Sequence, residues 1–293
     1  MATAEPSWTD GLATWYAAHG RHHLPWRLTT EPWAVLVSEL MLQQTSVARV
    51  LPRWERLLAR WPSPASCAAA SLDDVLREWE GLGYPRRARA LWLTAAIVDR
   101  EGWPADEPGL RALPGVGVYT ARALLAFSDL GTGDSPPPRD VNLGRVAARA
   151  ALGVEPHQVT PGRLDAVLTG ARPVGMPVRQ YAYALFDVGA LHCRAVPRCQ
   201  GCGLAAGCAA LRSGLPVVPP PPRQAAYQGS LRQLRGALLA AALAADGTPT
   251  SALRTAVSSL PGATEQRIEL ALAGLVADGL VRDDRDIRYD SGT

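Results

Sequence analysis

Along most of the chain, apolar side chains recur three and four positions apart rather than in alternation. Trp33, Leu36, Val37, Leu40 and Met41 follow this spacing, and Leu51, Trp54, Leu57, Leu58 and Trp61 repeat it. Residues 8–20 and 30–130 therefore read mainly as helices. Ser71-Leu-Asp-Asp opens one of them with an N-cap hydroxyl and an acidic first turn. Alternating β-branched runs are nearly absent, so the pattern predicts a mostly α fold. Residues 214–224, GLPVVPPPPRQ, predict a stiff linker between a domain at 1–213 and a small module at 225–293. In that module, helical patterns over Leu231–Ala245 and Glu265–Asp278 precede Gly279-Leu-Val and Asp286-Ile-Arg-Tyr, which read as a short hairpin. Helix, helix and wing is the outline of a winged-helix module.

Composition narrows the class. With 47% hydrophobic and 19% charged residues, a packed core is feasible and wholesale disorder is excluded. No apolar run reaches the roughly 18–20 residues of a membrane span, and MATAEPSWTDG has neither a basic patch nor an apolar stretch. The expectation is a monomer without membrane contact, in the cytoplasm and, in a bacterium, at the nucleoid. A net charge of +3 does not by itself argue for nucleic acid. All 30 Lys+Arg residues are Arg, so no side chain can form a Schiff base.

Cys193, Cys199, Cys202 and Cys208 fall close together, whereas Cys67 stands alone in an Ala-rich stretch and reads as a small buried hydrophobe. Four clustered thiols without a secretory signal point to a metal site rather than disulfides. A structural zinc usually shows two C-x2-C knuckles, and here there is one, Cys199–Cys202. The spacing suits a loop around a [4Fe–4S] cluster, with a zinc ribbon or free thiols as the other reading. Arg194 and Arg198 lie inside the loop, where they would offset thiolate charge or face a phosphate.

Leu113-Pro-Gly-Val-Gly-Val-Tyr-Thr-Ala lies between a helix closing over 107–112 and another over 119–128. A turn with Gly115 and Gly117 lets backbone N–H groups approach an anion, which fits a helix-hairpin-helix on a DNA phosphate. Arg86, Arg87 and Arg89 form a short basic run that reads as a solvated face.

These residues together resemble the endonuclease III superfamily of helix-hairpin-helix DNA glycosylases, and within it the adenine-removing branch. The likeness spans about Leu24 to Cys208. It rests on Leu24-Pro-Trp-Arg, Ser38-Glu-Leu-Met-Leu-Gln-Gln-Thr, Gly81-Leu-Gly-Tyr, Leu113-Pro-Gly-Val-Gly, Asp140-Val-Asn-Leu-Gly-Arg-Val and the four-cysteine loop, all in family order. The resemblance implies two helical subdomains around a DNA-binding cleft, with a [4Fe–4S] loop at 193–208 in one of them. It implies that Glu39 is the general acid for the adenine ring and Asp140 the carboxylate beside the sugar cation, with Tyr119 and Asn142 orienting them. That pairing suits N-glycosidic cleavage of a flipped-out base, which needs a proton on the leaving group and negative charge beside an oxocarbenium-like centre. By the same likeness Trp26, Arg27 and Leu42 line the adenine pocket, Asp187 faces the adenine, and Gln44, Thr45, Leu82 and Tyr84 wedge into the duplex.

The chain departs from the family pattern in three places. Cys193 and Cys199 have five intervening residues where the family usually has six. The approach to Asp140, Asp134-Ser-Pro-Pro-Pro-Arg, is longer and more polar than usual. Nothing after Cys208 resembles the Nudix-like domain that inspects 8-oxoguanine. The expected function is monofunctional removal of adenine mispaired with 8-oxoguanine or guanine in double-stranded DNA. The rivals are a thymine or uracil mismatch glycosylase of the same superfamily and a non-catalytic iron–sulfur DNA-binding regulator.

Overall fold

The computed structural model describes residues 7–133, 135–216, 226–244 and 250–281. Among them every regular element is helical, as the apolar spacing predicts. The first half carries α1 (Leu12–His19), α2 (Pro32–Leu42), α3 (Val47–Arg60), α4 (Pro64–Ala68), α5 (Leu72–Glu78), α6 (Arg86–Glu101), α7 (Glu107–Ala112) and α8 (Val118–Phe127). The second carries α9 (Val141–Ala147), α10 (Pro161–Gly170), α11 (Val178–Leu191), α12 (Ala209–Ser213), α13 (Leu231–Ala244), α14 (Thr250–Val257) and α15 (Glu265–Ala277). The anticipated wing at Asp286-Ile-Arg-Tyr and most of the Pro-rich linker lie outside the described residues.

The helices form two compact units, each drawn from two stretches of chain. Unit 1 takes its described residues from Met1–Leu40 and Gly102–Pro220, and unit 2 from Met41–Glu101 and Pro221–Thr293. The sequence suggests a linear division at the Pro-rich stretch. Instead the C-terminal helices group with residues 41–101. Within unit 2 the guanidinium of Arg77 donates to the Leu243 carbonyl at the end of α13 (3.2 Å), and Asp278 pairs with both Arg235 and Arg86. Leu234, Leu238, Leu253, Leu272 and Leu275 are buried between α13, α14 and α15. α14 has no counterpart in the sequence reading, because its short run of Thr, Ser and Ala carries few large apolar side chains.

In unit 1, α2 is buried on nearly every side. Trp33, Val35, Leu36, Val37 and Leu40 are each at most 2% exposed. Ser38 survives there because its hydroxyl donates to the Val35 carbonyl (2.8 Å), satisfying the buried polar group. Glu39 is the other polar residue of this buried stretch, and its neighbours define the site.

Candidate active site

Glu39 is 5% exposed, and Tyr119, in the first turn of α8, hydrogen-bonds its carboxyl. Burial pushes the Glu39 pKa up to about 7, and the charge of nearby Asp140 adds to the rise. The Tyr119 bond and the Arg27 charge pull the other way. A carboxyl in this setting holds its proton near neutral pH for the same reason that apolar pockets raise catalytic acids elsewhere. Burial, with Glu39 and Asp140 nearby, drives the Tyr119 phenol well above its ordinary range, so it stays a neutral donor.

Asp140 is the N-cap of α9. Its Oδ1 accepts from the Asn142 and Leu143 backbone amides (both 2.8 Å), and its Oδ2 from the Asn142 side-chain amide (2.7 Å). Burial raises its pKa and these bonds oppose the rise. In the Pro-rich approach, Pro137 and Pro138 are buried just upstream of it. Asn142 Oδ1 in turn accepts from the Arg145 guanidinium (2.8 Å), which also donates to the Cys193 carbonyl (2.6 Å) and the Gly189 carbonyl (3.1 Å). A hydrogen-bonded chain thus runs from the Asp140 carboxyl to the start of the cysteine loop.

Asp187 differs from its expected place opposite a base. It is fully buried, and its two oxygens receive four donors: the Arg21 amide (2.8 Å) and Nε (2.6 Å), and the Arg27 Nη1 (2.7 Å) and Nη2 (2.9 Å). That fills the roughly four acceptor positions of a carboxylate. Against the desolvation of burial, Arg27 and Arg21 hold the Asp187 pKa below the usual range. Its carboxylate orients Arg27, which lies over the Tyr183 ring at 4.5 Å. Trp26 is buried in the turn Pro25–Arg27. The hairpin between α7 and α8 forms as expected. Gly115 takes φ 74°, and Gly117 precedes α8 without a capping side chain, so the first amides of α8 are not met by a side chain.

The four cysteines line one cavity together with Val146, Val188 and Leu204. Burial raises the Cys202 pKa to about 11, and each of the other three thiols adds to it. Among the described residues no three His, Cys, Asp or Glu side chains gather as ligands of a single ion. The expected counter-charges, Arg194 and Arg198, are exposed. The positive charge comes instead from Arg145 and Arg149 at the end of α9 and its continuation. Arg149 is 4% exposed, pairs with Glu155 and donates to the carbonyls of Arg194 (2.6 Å) and Ala195 (3.2 Å). Trp15 of α1 donates to Gly201 O (3.0 Å), and a Cβ at Gly203 would stand 2.4 Å from its ring. Only glycine fits there. Cys67 is fully buried elsewhere, as its Ala-rich surroundings suggest.

In unit 2, Gln44, Thr45, Leu82 and Tyr84 come together on two adjoining turns, Thr45 Oγ1 donating to the Leu82 carbonyl (3.2 Å). Gln44 is exposed and Tyr84 40% exposed, but Leu82 is 4% exposed and Leu42 half-buried. The basic run is misread by sequence alone. Arg86 is exposed, yet Arg87 is 8% exposed and packed beneath both turns.

Residues 37–160 match the model of the HhH-GPD superfamily of base excision DNA repair proteins. The chain is 41% identical to a protein of Mycobacterium tuberculosis named adenine DNA glycosylase, over 95% of this chain and 91% of that one. It is 38% identical to the adenine DNA glycosylase of Mycolicibacterium smegmatis, over 95% and 94%. Its fold is similar to that of a thermostable thymine-DNA glycosylase, with a TM-score of 0.63 and 22% identity over 70% of this chain and 95% of the other. The chain belongs to the adenine DNA glycosylase family of the HhH-GPD superfamily.

Proposed function

We propose that this DNA glycosylase hydrolyses the N-glycosidic bond of adenine mispaired with 8-oxoguanine or guanine in double-stranded DNA, leaving the strand intact. The observation that carries the reading is Glu39: a buried carboxyl with a pKa of about 7, held by the Tyr119 phenol and adjacent to a second carboxyl, Asp140. In its protonated form Glu39 donates to a ring nitrogen of the flipped-out base, turning a poor leaving group into a neutral one. Asp140, kept in place by Asn142 and the amides that start α9, supplies negative charge beside the sugar as the bond breaks. Tyr119 and Asn142 orient the two carboxyls. Trp26 and Arg27 receive the base, with Asp187 positioning Arg27.

The hairpin at Gly115 and Gly117 grips a backbone phosphate through the amides of α8, which fixes register without reading sequence. Gln44, Thr45, Leu82 and Tyr84 enter the duplex near the opposite base. Cys193, Cys199, Cys202 and Cys208 would hold a [4Fe–4S] cluster. Thiols spread around a cavity suit a group ligated at separate corners better than one ion at a point, and Arg145 and Arg149 meet its negative charge. A bound cluster would tie the loop rigidly.

Duplexes carrying A opposite 8-oxoguanine, A·G, T·G and U·G test the reading in one assay. Release of adenine from the first two, with the strand cut only after alkali, is the expected result. Release of thymine or uracil instead would overturn the substrate assignment, and release of nothing would overturn catalysis.

A further inference from the structure

Arg87 occupies an unusual place for a cation. It lies in the first turn of α6, yet its guanidinium is inserted between the turn after α2 and the turn before α6. Nη1 donates to the carbonyls of Met41 (3.1 Å) and Gln43 (2.6 Å). Nη2 donates to Thr45 Oγ1 (3.3 Å) and to the carbonyls of Leu82 (3.0 Å) and Gly83 (2.9 Å). The rings of Trp79 and Tyr84 each lie 5.5 Å from the guanidinium carbon. Burying a charge this deeply is costly, and the planar fork of donors is what makes it tolerable.

The two turns share a second feature. Gln44 has φ 56° and Tyr84 has φ 49°, the left-handed region that side chains other than glycine and asparagine rarely enter. These two are also the exposed members of the group assigned above to the duplex. Carbonyls that flank each strained residue, those of Gln43 and Gly83, are the ones Arg87 holds most closely. Backbone strain persists only where its surroundings enforce it, and here one guanidinium supplies the enforcement on both sides.

We propose that Arg87 is a positioning residue that fixes Gln44 and Tyr84 in the left-handed conformation and so makes the two turns one rigid wedge for entering the duplex. This rests on the assignment of those residues to the duplex. Arg87 touches neither base nor sugar, and its effect belongs to the opening of the base pair rather than to bond cleavage.

The test compares Arg87→Met, Arg87→Lys, Arg87→Lys with Gln44→Asn, and the double variant Gln44→Ala, Tyr84→Ala. Single-turnover excision is measured on an A·G duplex and on a duplex whose adenine faces an abasic site and is already unpaired. Unstacking is followed by the fluorescence of 2-aminopurine placed at the adenine position, and folding by thermal melting. Arg87→Met and Arg87→Lys should each lose about tenfold or more on the paired substrate and lose the fluorescence rise, but change less than about threefold on the unpaired one. Lysine keeps the charge without the fork. Asparagine at 44 enters the left-handed region more readily, so it should restore part of the Arg87→Lys loss. Equal losses on both substrates would overturn the proposal, as would wild-type excision by Arg87→Lys or the absence of rescue by Gln44→Asn. If Arg87→Met does not fold, the lysine pair decides alone. Unchanged excision by the Gln44→Ala, Tyr84→Ala double variant would instead remove the duplex assignment itself, and the proposal with it.

Discussion

Glu39 shows how one residue couples stability to chemistry. Its pKa is raised from 4.5 to about 7 in the fold, chiefly by burial, so the folded state binds its proton more tightly than the unfolded chain does. Stability is therefore lost as pH rises from about 4.5 towards 7, and above that the ionised group costs on the order of 3 kcal/mol. Glu39→Gln removes the cost. The variant should melt higher than the parent at pH 8 and within error of it below pH 4.5, as calorimetry across that range would show. The same proton is the one proposed to reach the base, so Glu39→Gln should bind duplex and lose adenine release by at least about a hundredfold. In the parent, single-turnover excision should fall as pH rises through about 7, because the acid form is consumed. On the acid side it should fall as Asp140 takes up its proton, a limb shifted upward because burial raises that pKa. A gain in melting temperature at pH 8 without loss of excision would separate the burial of Glu39 from any catalytic role. Glu39 was legible in the sequence for a simple reason: a carboxylate inside an apolar helical stretch has to be explained.

The elements were legible where spacing is local, and their mutual contacts were not. Ser71 caps α5 as its Ser-Leu-Asp-Asp start implies, its hydroxyl accepting from the Asp74 amide (3.1 Å), and the hairpin between α7 and α8 falls within a residue of its expected limits. By contrast, Arg87 reaches carbonyls 44 and 46 positions away, and Asp187 meets arginines 160 and 166 positions away. No local pattern distinguishes such an arginine from one on a solvated face. The approach of α9 to α11 is another contact of this kind, and it bears on the site. A Cβ at Gly189 of α11 would stand 2.9 Å from the Asn142 Cβ of α9, closer than side chains tolerate. Gly189→Ala should therefore push Asn142 away from Asp140 and strain the bond from Arg145 to the Gly189 carbonyl. Excision should drop about tenfold with duplex affinity kept, since the bonds affected orient the carboxyl proposed to face the sugar and touch none of the residues proposed to enter the duplex. Single-turnover rates beside equilibrium binding make the distinction. A variant that loses affinity and rate in proportion would place Asn142 in binding rather than in orientation.

At the scale of the whole chain, Glu39, Asp140 and the cysteine loop fall in unit 1, whereas the turns assigned to the duplex fall in unit 2. That division was hidden in the sequence, because residues 41–101 and the C-terminal helices join only through contacts such as Arg77 with Leu243. One property, however, could be read only from the chain as a whole: every one of its 30 Lys+Arg residues is Arg. Strand cleavage after base removal needs an amine that attacks the sugar carbon and forms an imine. Tyr119 stands beside Glu39, and a phenol cannot form an imine. Arg stays protonated and is a poor nucleophile. Borohydride reduction during the reaction should therefore leave protein and DNA separable, with the N-terminal amine blocked to remove the one other source of an imine. The product strand should run at full length until alkali is added. Efficient trapping by the blocked protein would require a nucleophile that this chain does not contain, and would overturn the monofunctional assignment. Tyr119→Lys gives the converse: an amine placed next to Glu39 and Asp140 should create trappable adduct, and base release should fall because the hydrogen bond to Glu39 is lost.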